Sequence, residues 1–301
     1  MTHSGTDEPT LPTWEEMGGG VIDTMLDLPF ADKREVYAFL RSQLRDSESL
    51  EDFDFPVEYM FKGVPDALVE GQDPVVATLE AMDRFGIHYG LVGMGGDHQQ
   101  RALRDHPDRF LASMSADANE GMDAVRRIRR AVHEFDLRAV VTFPAGTDPQ
   151  VPIDGARWYP IYATCAELGL PVFICAGVPG PRVPMLAQHV ELLDTVCYDF
   201  PELTIVTRHG CEPWEALAVK LMIKWPNLHY STSAFAPKYY PQAIVDYANT
   251  RGAEKVLYAG YYPMGLSLER IFAELPQVGF NADVWPKFLR GNAARILGVD
   301  S

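Results

Sequence analysis

The chain of 301 residues is predicted to be an α/β protein: a (β/α)8 TIM barrel with an insertion after strand 1 and extra C-terminal helices. Three observations predict it. Eight short runs rich in Val, Ile, Leu and Phe recur along the sequence. Each is too short for a helix and lacks strict alternation, as suits parallel strands buried on both faces. Amphipathic stretches of 3.6-residue period separate the runs, so strand and helix alternate eight times. No Gly-x-Gly-x-x-Gly follows any run, which disfavours the alternative, a doubly wound open sheet.

The strands are expected at 20–29, 88–94, 110–117, 137–146, 171–177, 204–210, 228–234 and 256–263. The first barrel helix has an N-cap candidate in Asp73, Pro74 at its first position and a stop at Gly86. A shorter helix is expected over 97–106. Further helices are expected at 120–135, 158–169, 190–200, 214–225, 240–252 and 267–275, and residues 283–298 as a helix, a turn and a final helix. Residues 1–18 lack periodicity and read as a flexible tail, leaving 19–301 as one domain. Residues 30–73 interrupt the rhythm with a helical piece at 32–46 and the aromatic run Phe53, Phe55, Tyr59 and Phe61. An insertion after a barrel strand emerges where active sites are built, so it reads as a lid, or else as a structural excursion or a dimer contact.

Composition excludes several partners. Acidic residues number 42 and basic residues 26, a formal charge of −16. No basic stripe is available to neutralise nucleic-acid phosphates or anionic lipid. No apolar run reaches the roughly 18 residues of a spanning helix, and the N-terminus has no secretory pattern. Four cysteines without a Cys-x-x-Cys pair read as reduced thiols in a cytoplasmic protein.

In a barrel, strand ends converge on one mouth. Those positions are Met25 and Asp27, Cys175, His209, Ser231 and Ser233, and Tyr261 and Tyr262. His209, Asp27, Cys175 and Tyr261 form the candidate catalytic set. Arg182, in the loop after strand 5, is the candidate clamp for a substrate carboxylate, or else a surface residue in a turn. Ser233, Tyr262 and Phe55 are expected to line the substrate.

The strings CAELGLPVFI, His209–Trp214, TSAFAPKYYPQAIVDYANTRGAEKVLYAGYYP and GNAARILG resemble the amidohydrolase-2 family. VIDTMLDLP stands where that family opens with Ile-Asp-x-His-x-His. The resemblance implies relatives such as aminocarboxymuconate-semialdehyde and γ-resorcylate decarboxylases, and a homodimer. It also implies metal ligands at positions that here are Met25, Asp27, Cys175 and Tyr261, with His209 as the family's general acid/base. A thioether and a phenol are poor zinc ligands, so no cofactor is expected. The alternative is a zinc held by Asp27, Cys175 and His209 with one open position.

Three functions follow. The first is a metal-independent lyase, isomerase or hydrolase for a small aromatic or unsaturated acid. In it His209 is the general acid/base, its pKa set by Asp27, and Tyr261 donates to an oxyanion. The second is a hydrolase whose nucleophile Cys175 is activated by His209. The third is a non-catalytic ligand-binding protein or partner of an active homologue.

Overall fold

The computed structural model describes residues 11–29, 33–51, 53, 55–61 and 71–299. Eight strands pair in parallel in sequence order: β1 Val21–Asp23, β2 Ile87–Gly93, β3 Phe110–Ala116, β4 Ala139–Thr142, β5 Val172–Cys175, β6 Ile205–Arg208, β7 Leu228–Ser231 and β8 Val256–Leu257. Strands 1 and 8 meet just beyond these limits. Leu26 bridges Tyr262, Tyr261 N–H donates to Met25 O at 3.0 Å, and Asp27 N–H donates to Tyr262 O at 2.9 Å. The fold is the expected (β/α)8 barrel.

One layer inside the barrel consists of Ile22, Leu91, Leu111, Ala139, Phe173, Val206 and Leu257, packed against Ala293, Ala294, Ile296 and Leu297 of the last helix. Arg138, which precedes β4, donates to Leu297 O and Gly298 O, so this helix plugs the N-terminal end. The C-terminal end is left for a site. Side chains alternate along a strand, so the inward direction of Phe173 and Val206 recurs at Cys175 and Arg208. Those two are register partners.

Local chemistry explains the helix that precedes β2. Asp73 caps Pro74–Arg84, its carboxylate accepting from Val75 N–H at 2.8 Å and Val76 N–H at 3.5 Å. Elsewhere tertiary contacts override periodicity. The helix expected over 32–46 is only Lys33–Tyr37 followed by the 3-10 turn Ala38–Leu40. Past that point Ser42 and Gln43 are drawn off to Asp148 and Gly146 O. The turn expected between the last two helices does not form. Gly291 keeps helical angles, and the π-helical turn Lys287–Gly291 runs straight into Asn292–Leu297. Within the stretch expected as a tail, Thr13 and Glu16 make a capping box for Trp14–Met17; residues 1–10 lie outside the described residues. No helix among the described residues is long and apolar enough to cross a membrane.

The insertion expected over 30–73 is described except for 30–32, 52, 54 and 62–70. Its described part rests on the loops after β4, β5 and β8. Ser42 Oγ donates to Asp148 at 2.9 Å and Gln43 to Gly146 O at 2.8 Å. Tyr59 Oη donates to Gly180 O at 2.6 Å, and Phe61 stacks on Tyr261. These contacts strap it across the C-terminal end.

Candidate active site

His209 follows β6 with φ 64°, and Tyr261, Cys211 and Ala234 also adopt positive φ (65°, 59° and 72°). Left-handed backbone is costly for residues other than glycine and gathers where function over-determines the chain. Here it gathers at the ends of strands 6, 7 and 8. His209 N–H donates to Ser233 Oγ at 2.9 Å, and the same hydroxyl lies 3.4 Å from Nδ1. The imidazole meets Tyr261 edge-on at 5.7 Å. Burial first, and then the nearby Arg208 charge, push its pKa down to about 3. His209 is therefore neutral at pH 7.

The other strand-end groups surround it. Asp27 Oδ1 accepts from Leu28 N–H at 2.8 Å and from Gln99 Nε2 at 3.1 Å. Desolvation nevertheless raises its pKa to about 6, against the pull of those bonds and of Arg208. Asp27 thus answers to Gln99 and Arg208, and the depression of His209 comes from burial and Arg208 rather than from Asp27. Burial lifts the Cys175 thiol to about 11 and the Tyr261 phenol to about 12, with Arg208 opposing both. Cys175 makes no hydrogen bond to His209. A protonated, buried thiol without a base is a small apolar side chain.

The residues expected to bind substrate are distributed otherwise. Arg182 Nη1 donates to Asp46 at 2.7 Å and Glu48 at 3.0 Å, and its guanidinium lies over the Tyr59 ring. It fastens the insertion to the rim, and its charge is already spent on two carboxylates. Ser233 positions His209. Tyr262 lends its carbonyl to the closure of strands 1 and 8. Phe55 is buried behind the mouth against Tyr37 and Phe61, and Phe61 is the ring that reaches Tyr261, at 5.7 Å and 19°. Tyr59, in the same aromatic run, is 53% exposed.

Sequence reasoning missed Arg208. It is the last residue of an otherwise buried strand. The available signal was the alternation that turns Val206 inward. Two positions further on, the same direction carries a guanidinium into the mouth.

A divalent metal does not fit these residues. Among the described residues no three of His, Cys, Asp and Glu stand close enough to hold one, so the trio Asp27, Cys175 and His209 is not assembled as a site. Met25 offers a thioether, and the fixed charge of Arg208 acts on Asp27, Cys175, His209 and Tyr261 alike.

Residues 63–299 match the model of the amidohydrolase-2 family, described as Amidohydrolase. No curated protein matches the chain. Among similar solved structures is an uncharacterised TIM-barrel protein from Bordetella bronchiseptica, 23% identical, with a TM-score of 0.69 over 92% of this chain and 98% of that one. Another is 5-carboxyvanillate decarboxylase from Novosphingobium aromaticivorans, complexed with manganese and 4-hydroxy-3-methoxy-5-nitrobenzoic acid. It is 16% identical, with a TM-score of 0.67 over 98% and 100% of the two chains. A third is 4-oxalomesaconate hydratase from Rhodopseudomonas palustris, 16% identical, with a TM-score of 0.59 over 92% and 95%. At these identities the likeness is one of fold, and the fold is this barrel. Matched by the family model over more than half of its length, the chain belongs to the amidohydrolase-2 family.

Proposed function

We propose that this protein is an enzyme that transfers a proton on a small aromatic or unsaturated carboxylic acid, without a divalent metal and with His209 as general acid/base. One observation carries the reading: a neutral imidazole, fixed by Ser233, faces the Tyr261 phenol at a mouth strapped by aromatic residues. A neutral imidazole can accept a proton from the substrate and return it to another atom. Tyr261, protonated at neutral pH, can donate to an oxygen that gains charge as the proton moves. Phe61 and Tyr261 offer flat apolar surface for an unsaturated ring or chain. The solved relatives, an aromatic-acid decarboxylase and a hydratase, make a lyase the preferred class.

The test is turnover on a panel of hydroxybenzoates and unsaturated acids, before and after exhaustive chelation, with the metal content of the protein measured alongside. Substoichiometric metal and unchanged turnover after chelation are expected. One tightly held equivalent of manganese or zinc, with activity lost on its removal, overturns the reading.

The buried thiol supplies a second check. Cys175→Ala should keep turnover within about threefold, because it removes one small buried group and no reacting atom. A loss beyond a hundredfold, with a covalent adduct on Cys175 seen by mass spectrometry in the parent protein, would favour the nucleophilic mechanism.

A further inference from the structure

We infer that Arg208 is the anchor for the substrate's carboxylate, and that the site takes a monocarboxylate in preference to a dicarboxylate. The inference rests on the proposed reading of the site and names the group that recognises its ligand. Arg208 ends β6 beside Cys175 and, by strand alternation, turns inward at the mouth. It is half-buried, and its Nε is buried without a hydrogen-bond partner. Among the described residues its guanidinium makes no hydrogen bond or ion pair. Asp27 acts on it only from a distance, its own Oδ1 being held by Gln99 and Leu28.

A charge taken out of water is normally paired, because desolvation costs several kcal/mol. The partly buried Arg109, Arg138, Arg182 and Arg270 follow that rule, each with an ion pair to a carboxylate. Arg208 departs from it at the strand ends, next to the general acid/base. The planar fork of a guanidinium matches a carboxylate with two parallel hydrogen bonds. A ligand carboxylate there would pair the charge and bring the rest of the molecule against His209, Tyr261 and Phe61. The preference for one carboxylate follows from Asp27. A second carboxylate at the mouth would approach that side chain, and among the described residues Arg182 at the rim is already committed to Asp46 and Glu48.

The experiment is direct binding, by calorimetry at pH 7.5, of benzoate, benzamide, phthalate and propionate to the parent protein, Arg208→Gln and Arg208→Lys. Benzoate should bind the parent at least about tenfold more tightly than phthalate or benzamide does. It should lose roughly 10–100-fold in Arg208→Gln, the usual worth of hydrogen bonds to a charged group, and less in Arg208→Lys. The melting temperature of Arg208→Gln should equal or exceed that of the parent, because an unpaired charge has been removed; a structural arginine would lower it. Equal benzoate affinity in the parent and Arg208→Gln overturns the anchor and leaves the aromatic-acid reading standing. Arg208-dependent binding of propionate but not benzoate keeps the anchor and overturns that reading. Tighter binding of phthalate than of benzoate overturns the monocarboxylate preference, and binding of no carboxylate overturns both.

Discussion

Replacing His209 by Asn is expected to lower turnover by roughly 10²–10⁴-fold, the usual contribution of a positioned general acid/base, while the melting temperature near pH 7.5 stays within a few degrees. The backbone N–H that anchors the residue to Ser233 survives the change. An amide can occupy the same place and keep a hydrogen bond, but it cannot carry a proton near neutral pH. His209→Ala should lose as much activity. Two pH measurements separate a catalytic from a structural role. The imidazole, depressed from 6.5 to about 3, adds stability that is present above pH 6.5 and is lost as pH falls toward 3. That part of the acid sensitivity should vanish in the Asn variant. The acid limb of kcat/KM should lie below pH 4, because the free enzyme's base is already neutral there. A limb near pH 6 that Asp27→Asn abolishes would instead assign the essential base to Asp27, whose carboxyl is raised to about 6. Full activity in both His209 variants would remove the residue from the mechanism.

The barrel was legible because its strands are buried on both faces and leave unmistakable apolar runs, such as 171–177 and 204–210. Helix starts set by one side chain were legible too, as at Asp73. The strand ends were readable as positions, and the structure places His209, Asp27, Cys175 and Tyr261 at the C-terminal end of the barrel, each within reach of the Arg208 charge. Their electrostatics were not readable. Whether Asp27 or Arg208 acts on His209 depends on side-chain direction at the ends of two strands far apart in sequence, and Gln99, which holds Asp27, comes from a helix 72 residues away. Arg182 looked available because its partners, Asp46 and Glu48, lie 136 and 134 residues earlier. The aromatic run of the insertion showed that some ring would reach the mouth. Only packing distinguishes Phe61, stacked on Tyr261, from Phe55 behind it and Tyr59, bonded to Gly180 O and half-exposed.

Asp23→Ala should be among the most destabilising single changes in the chain, at about 2–5 kcal/mol, with Asp23→Asn near neutral at pH 8. Asp23 ends β1, fully buried, and its Oδ1 accepts from Met25 N–H and Gly260 N–H, both at 2.9 Å. It therefore ties strand 1 to the chain beyond strand 8, at the seam where the barrel closes. Alanine strands two buried N–H groups at about 1–3 kcal/mol each. Asparagine keeps one oxygen for both, and its amide takes the place of Asp23 Oδ2 beside the Tyr258 hydroxyl, which interacts with the Asp23 carboxyl. Both atoms border Gly260, where a Cβ would come within 2.4 Å of the first and 2.8 Å of the second. Burial raises the Asp23 carboxyl from 3.8 to about 6. Its proton is therefore held more tightly in the folded state. The stability this gives is complete below pH 3.8 and is lost as pH rises through 6, a change of roughly 3 kcal/mol at 1.36 kcal/mol per pH unit. Asparagine never ionises, so Asp23→Asn should gain on the parent between pH 4 and pH 8 by about that amount in denaturant unfolding. If Asp23→Asn is as destabilised as Asp23→Ala at pH 8, the ionised carboxylate itself holds the seam, and the reading that its charge is costly in this buried place is wrong.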